Sequence, residues 1–75
     1  MKKSEIKVGV TYHNGKTGRF YSERMVIAEG PEYLLYDVQE NHDCIRYRVV
    51  KGRGVGEEGN MTRTAFARWA RGIVE

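Results

Sequence analysis

Apolar and polar residues alternate along most of this chain, and the period changes only near the end. Ile6, Val8, Val10 and Tyr12 alternate with Lys7, Gly9 and Thr11, the period-two signature of a half-buried strand. His13-Asn14-Gly15-Lys16-Thr17-Gly18 follows as a turn, with Asn-Gly as its hairpin signal. Arg19 to Ala28 reads as a second strand. Phe20, Met25 and Ile27 do not share one strict alternation, which predicts a bend or bulge near Ser22 or Glu23. A turn at Glu29-Gly30-Pro31-Glu32 leads to a third strand, in which Leu34, Tyr36 and Val38 alternate with Tyr33, Leu35 and Asp37. Glu40-Asn41-His42-Asp43 is a polar connector. Ile45, Tyr47 and Val49 alternate with Arg46 and Arg48 in a fourth strand. Gly52 to Gly59 carries four glycines in eight residues and reads as a flexible loop, with Asn60 and Met61 as a short fifth strand.

The period then becomes helical. Phe66, Trp69, Ala70 and Ile73 recur at i, i+3, i+4 and i+7. Thr62 or Thr64 can cap this helix, neither with a Glu or Gln three residues later. Arg68 and Arg71 sit near its C-terminus, where positive charge is favoured, and Gly72 can close it. The pattern predicts a mainly β fold: a small, strongly bent antiparallel sheet of four or five strands with one C-terminal helix over about 62–72. A partly open Src-homology-3-like barrel fits best, one open end plugged by Phe66 and Trp69.

Size limits what such a fold can do. Seventy-five residues make one domain, 1–75. A chain of this length buries only about 60% of the surface its unfolded form exposes. It is too short for a dinucleotide fold, a (β/α) barrel or a two-domain cleft enzyme, so no catalytic role and no cofactor are expected. The single cysteine excludes an internal disulfide and a cysteine-based zinc cage. No apolar run exceeds four residues, far short of a membrane-spanning helix. The opening Met1-Lys2-Lys3 leads into Ser-Glu rather than an apolar stretch, so no secretory signal and a cytoplasmic location are expected.

Charge is mild in sum, net +3, but unevenly spread. Residues 1–24 hold six Lys or Arg against two acids, 25–45 hold five acids and no base, and 46–71 hold seven bases against Glu57 and Glu58. Arginine outnumbers lysine eight to five, and its fork suits phosphate or carboxylate. These bases lie within predicted elements rather than in a tail. The plain reading is a solvated surface of mixed sign; the sharper one is a dipolar molecule with one anion-attracting face.

Several motifs dissolve on inspection. Gly54-Val55-Gly56-Glu57-Glu58-Gly59 matches G-x-G-x-x-G, but no parallel strand and helix flank it, and two glutamates would repel a pyrophosphate. Gly9 to Thr17 has one residue too many for a Walker A loop and lies in a hairpin. His42, Asp43 and Cys44 have only His13 as a further soft donor, too few for a metal site, so no metal is expected. Cys44 and His42 share a strand face as nucleophile and base would, without a readable orienting group or oxyanion device. A hairpin-tip histidine and a small half-buried thiol explain them. Asn60-Met61-Thr62 is a formal glycosylation sequon without a secretory context.

The basic positions carry more. Arg46 and Arg48 alternate with the apolar face of their strand and point away from the core, with Tyr33 and Asp37 as candidate neighbours. Lys51 and Arg53 continue into the glycine loop, and Arg63 stands at the helix start. Helix N-termini attract anions. Outward arginines, a glycine loop and a helix N-terminus together suggest a phosphate-sized pocket, with Tyr12, Tyr33 or Tyr47 to stack a base. The candidate ligand-binding set is Tyr12, Arg24, Arg46, Arg48, Arg53, Asn60, Thr62 and Arg63. The competing explanation keeps Tyr47 in the core and pairs Arg46 and Arg48 with acids of the third strand.

The chain resembles small bacteriophage and prophage accessory proteins of unassigned function. The resemblance rests on Val8-Gly9-Val10-Thr11-Tyr12, on Arg24 before Met25-Val26, and on Ile45-Arg46-Tyr47-Arg48-Val49-Val50. It rests above all on Gly59-Asn60-Met61-Thr62-Arg63-Thr64-Ala65-Phe66-Ala67-Arg68-Trp69-Ala70. Such proteins imply host regulation or counter-defence inside the host cytoplasm, and no catalytic residues to carry over. The expected function is capture of a phosphate-bearing ligand, a nucleotide signal or nucleic acid, by sequestration, with two copies as one way to build a shared pocket. The alternative is an inhibitor or adaptor that docks on a host protein through a sheet edge or helix face. A structural or morphogenetic role is a third reading.

Overall fold

The structure is a computed structural model that describes residues 1–30 and 43–75. The expected third strand at 34–38, the Pro31 turn, and Tyr33, Asp37 and His42 lie outside the described residues.

Among the described residues five antiparallel strands, and one helix, are present, and the strands form one open sheet in the order β4-β3-β2-β1-β5. They are β1 (Thr11–His13), β2 (Glu23–Glu29), β3 (Cys44–Lys51), β4 (Glu58–Thr62) and β5 (Gly72–Ile73). A single helix, α1 (Arg63–Trp69), lies between β4 and β5 in the chain. The mainly β fold with one late helix is as the pattern predicts, and the sheet does not close into a barrel.

The first strand is shorter than the alternation from Ile6 to Tyr12 suggests. Lys3–Glu5 forms a 3-10 turn, and Gly9 adopts φ +89°, a left-handed conformation that interrupts an extended strand. The Gly9 and Val10 backbones still bond to Val26, at 2.8 and 3.1 Å. The second strand begins at Glu23 rather than Arg19, because Gly18–Phe20 forms another 3-10 turn. Asn14 widens the turn. Its side-chain nitrogen donates to the Phe20 carbonyl (2.8 Å), and its oxygen accepts from the Lys16 and Ser22 amides (both 3.2 Å). One amide thus replaces the ladder that a two-residue hairpin would need. The expected bulge is present: the β2–β3 register shifts between Glu23 and Arg24, and again between Val26 and Ala28.

Alternation places Tyr12, Arg24, Val26, Ile45, Tyr47 and Met61 on one face of the sheet. There Ile6, Tyr12, Val26, Ile45, Phe66, Ala67 and Ala70 form the buried core. The Phe66 ring meets Tyr12 edge-on at 5.5 Å and Trp69 at 5.3 Å. Tyr47 crosses over Gly59, where a Cβ would lie 2.7 Å from its hydroxyl.

Thr62 caps α1, its hydroxyl accepting from the Ala65 amide at 3.1 Å. The helix is shorter than the expected 62–72. Ala70 is already extended (φ −72°, ψ 135°), and the Arg71 and Val74 amides donate to the His13 and Thr11 carbonyls at 2.8 and 2.9 Å. Pairing with β1 satisfies these backbone groups outside the helix, and the chain continues as β5.

Candidate functional site

The arginines divide into those held by carboxylates and those left open. Arg46 and Arg48 converge on Glu58 of β4. Arg46 Nε donates to Glu58 at 3.1 Å, and Arg48 donates through Nε and Nη2 at 2.9 and 2.8 Å. Arg46 also donates to the Asn60 side-chain oxygen at 2.7 Å. The Arg48 and Arg46 guanidiniums hold the Glu58 carboxyl below its usual range, the Arg48 hydrogen bond contributing most. Both arginines lie on the sheet face opposite the core, as expected, but their acidic partner stands on β4.

Arg63 is a structural hub. Its side chain, 14% exposed, donates to Asp43 at 2.7 Å and also bonds to Glu29 and to the Ile6 carbonyl. It ties the first turn, the end of β2 and the approach to β3 to the start of α1. The Arg63 hydrogen bond is the main cause of a lowered Asp43 pKa, and Lys3 adds to it at 3.3 Å. With Thr62 occupied as the cap and Arg63 held by these partners, the seven-residue α1 offers no anion site at its start.

Tyr12 is fully buried and packs edge-on against Phe66, so its ring is not open to a ligand. Its hydroxyl donates to the Glu5 carbonyl (2.5 Å) and accepts from the Lys7 amide (2.9 Å). Arg24 is on the core face, its guanidinium carbon 4.6 Å from the Tyr47 ring centroid and 4.4 Å from that of Trp69. Its Nη1 reaches the Met61 sulfur at 3.5 Å, and its buried Nε has no hydrogen-bond partner. Arg53 lies away from the others, in a cleft of about 510 Å³ with Arg19 and Phe20. The eight residues singled out from the sequence therefore occupy both sheet faces, the core and a distal loop.

A different set does converge. Asn14, Gly15 and Lys16 from the turn after β1 face Arg68, Trp69 and Arg71 at the end of α1 across a cleft of about 560 Å³. No acid lines it. Among the described residues Lys16, Arg68 and Arg71 form no ion pair, in contrast to Arg46, Arg48 and Arg63. The Arg71 stem packs against Gly15, whose φ of +70° and lack of a Cβ let the two segments approach closely. Arg71 Nη1 donates to the Arg68 carbonyl at 3.0 Å, which anchors one end of the guanidinium. Sequence reasoning placed Arg68 and Arg71 at the helix end, where they complement its dipole. It did not see that β5 pairing folds them back beside Lys16, more than fifty positions away.

Cys44 is buried, and burial raises its thiol pKa, with the charge of Asp43 adding to the effect. Among the described residues no three His, Cys, Asp or Glu side chains gather as a metal site, and no helix is long and apolar enough to cross a membrane.

No family model, curated protein or solved structure matches this chain.

Proposed function

We propose that this chain is a non-enzymatic binding protein that captures a phosphate-bearing ligand in the cleft between the Asn14–Lys16 turn and the end of α1. The supporting observation is the trio Lys16, Arg68 and Arg71 around one cleft with no acid in its lining. Three uncompensated cations favour an anion, and arginine forks match phosphate oxygens. The turn and the helix end are both tied to β1, so the cations are held by the sheet. Binding of this kind needs no catalytic group. With the resemblance to phage accessory proteins, it supports sequestration of a host ligand, as counter-defence or host regulation in the host cytoplasm.

The test is a thermal-shift titration with inorganic pyrophosphate, nucleotides and short oligonucleotides. Ligand at about a hundred times its dissociation constant stabilises by roughly 2.7 kcal/mol, or a melting shift on the order of 10 °C in so small a domain. Lys16→Ala with Arg71→Ala should remove the shift, while Arg46→Ala with Arg48→Ala should keep it. The reverse outcome returns the site to the outer sheet face, and a flat panel overturns the reading.

One observation favours a second reading, docking on a host protein. β4 ends the sheet and pairs only with β3 among the described strands, so its outer edge is a template for a partner strand. Capture of one host protein that survives nuclease and moderate salt would support it.

A further inference from the structure

The geometry points to a small nucleotide as the ligand, its phosphates on Lys16, Arg68 and Arg71 and its base against the indole of Trp69; this rests on the anion-binding reading above. The cleft places an aromatic surface beside three cations. Neither alone is specific: cations accept any anion, and an indole accepts any flat apolar group. Together they select a ligand with a charged end and a π face a short distance apart, which is the chemistry of a nucleotide.

Trp69 is fitted to that role by the contacts that hold it. The Arg24 guanidinium sits over its ring at 4.4 Å, and Phe66 packs at 5.3 Å with the rings tilted by 47°. These contacts fix the orientation of the indole, so little side-chain freedom remains to be lost when a base stacks. Arg24 also puts a fourth positive charge against the ring, without a carboxylate partner among the described residues. The size of the cleft favours a compact ligand. About 560 Å³ lies within the usual 300–1,000 Å³ of small-molecule sites. Its lining comes from one tight turn and from the segment that ends α1 and leads into β5.

Trp69 is the only tryptophan in the chain, so tryptophan emission reports on this one cleft-lining ring. The experiment titrates the intact protein with the four common ribonucleoside diphosphates, inorganic pyrophosphate and a twelve-nucleotide single-stranded DNA. Fluorescence follows Trp69, and calorimetry measures affinity. The expected result is saturable quenching by at least one nucleoside diphosphate, bound about tenfold or more tightly than pyrophosphate. Trp69→Phe should keep that preference, and Trp69→Leu should lose it while still binding pyrophosphate, with circular dichroism confirming the fold of each. Pyrophosphate bound as tightly as every nucleotide, without quenching, overturns the stacked base and leaves the anion site standing. Binding of neither overturns both. An oligonucleotide bound more tightly than any mononucleotide, with a steep salt dependence, overturns the compact ligand in favour of single-stranded nucleic acid.

Discussion

The guanidinium carbon of Arg24 lies 4.4 Å from the ring centroid of Trp69, joining the start of β2 to the last residue of α1. The Tyr47 ring centroid lies 4.6 Å from the same carbon, so the cation rests on two rings and, among the described residues, on no acid. Cation–π contacts of this kind contribute about 0.5–2 kcal/mol each. The unpartnered, buried Nε offsets part of that gain. Arg24→Ala should cost about 2 kcal/mol and lower the melting temperature by roughly 10 °C. Arg24→Met fills the same space, favours contact with the rings and removes the orphaned donor, and should stay within about 1 kcal/mol of the parent. Equal losses in thermal melts of the two variants would contradict this account of the sandwich.

Gly15 couples stability to the cleft. At φ +70° an alanine is strained, and its Cβ would stand 2.9 Å from the Cβ and Cγ of Arg71. Gly15→Ala should destabilise by about 1–2 kcal/mol and also displace Arg71. Pyrophosphate affinity measured by calorimetry should fall together with the melting temperature. For Gly56→Ala, also left-handed (φ +93°) but with open space around the added Cβ, only the melting temperature should respond.

Acid should weaken the fold through two carboxyls. Asp43 and Glu58 both have pKa values lowered by arginine, Asp43 chiefly by Arg63 and Glu58 chiefly by Arg48. In each case the unfolded chain binds a proton more readily than the folded one. Their contribution is therefore complete above the ordinary carboxyl range and is lost as the pH falls through the lowered folded values. Glu58→Gln and Asp43→Asn should each flatten the acid limb of a melting-temperature profile below about pH 4.5, the region where unfolded carboxyls titrate. An acid limb that keeps its slope in both variants would remove these pairs as its cause.

The Thr62 cap makes a local prediction. Its hydroxyl satisfies the Ala65 amide, and α1 is only seven residues long. Thr62→Ala should cost about 1 kcal/mol, and Thr62→Ser should recover most of it. Urea unfolding should show a lower midpoint for the alanine variant with an unchanged slope.

Where pairing partners are near in sequence, the pattern was legible. Ile45, Tyr47 and Val49 alternate with Arg46 and Arg48, and that alone told which face each side chain takes. The bulge at Glu23 was readable because Phe20, Met25 and Ile27 cannot share one period. The Thr62 cap was readable because an N-cap is a local competition for one amide. The start of β2 was misjudged because nothing in Arg19 or Phe20 reveals that the Asn14 side chain will bond across the turn.

The sequence by itself determined a small β fold with one late helix, because alternation and helical spacing are properties of neighbouring residues and burial of one face follows from them. It could not decide which charges remain free. Arg46, Arg48 and Arg63 look as available as Lys16, Arg68 and Arg71 in the sequence. Coulombic compensation depends on distance in space, and only strand pairing brings Glu58 between Arg46 and Arg48. Only the short β1–β5 ladder folds Arg71 back onto Gly15 beside Lys16. The tertiary structure thus decided where uncompensated positive charge gathers, and with it the place of the candidate site.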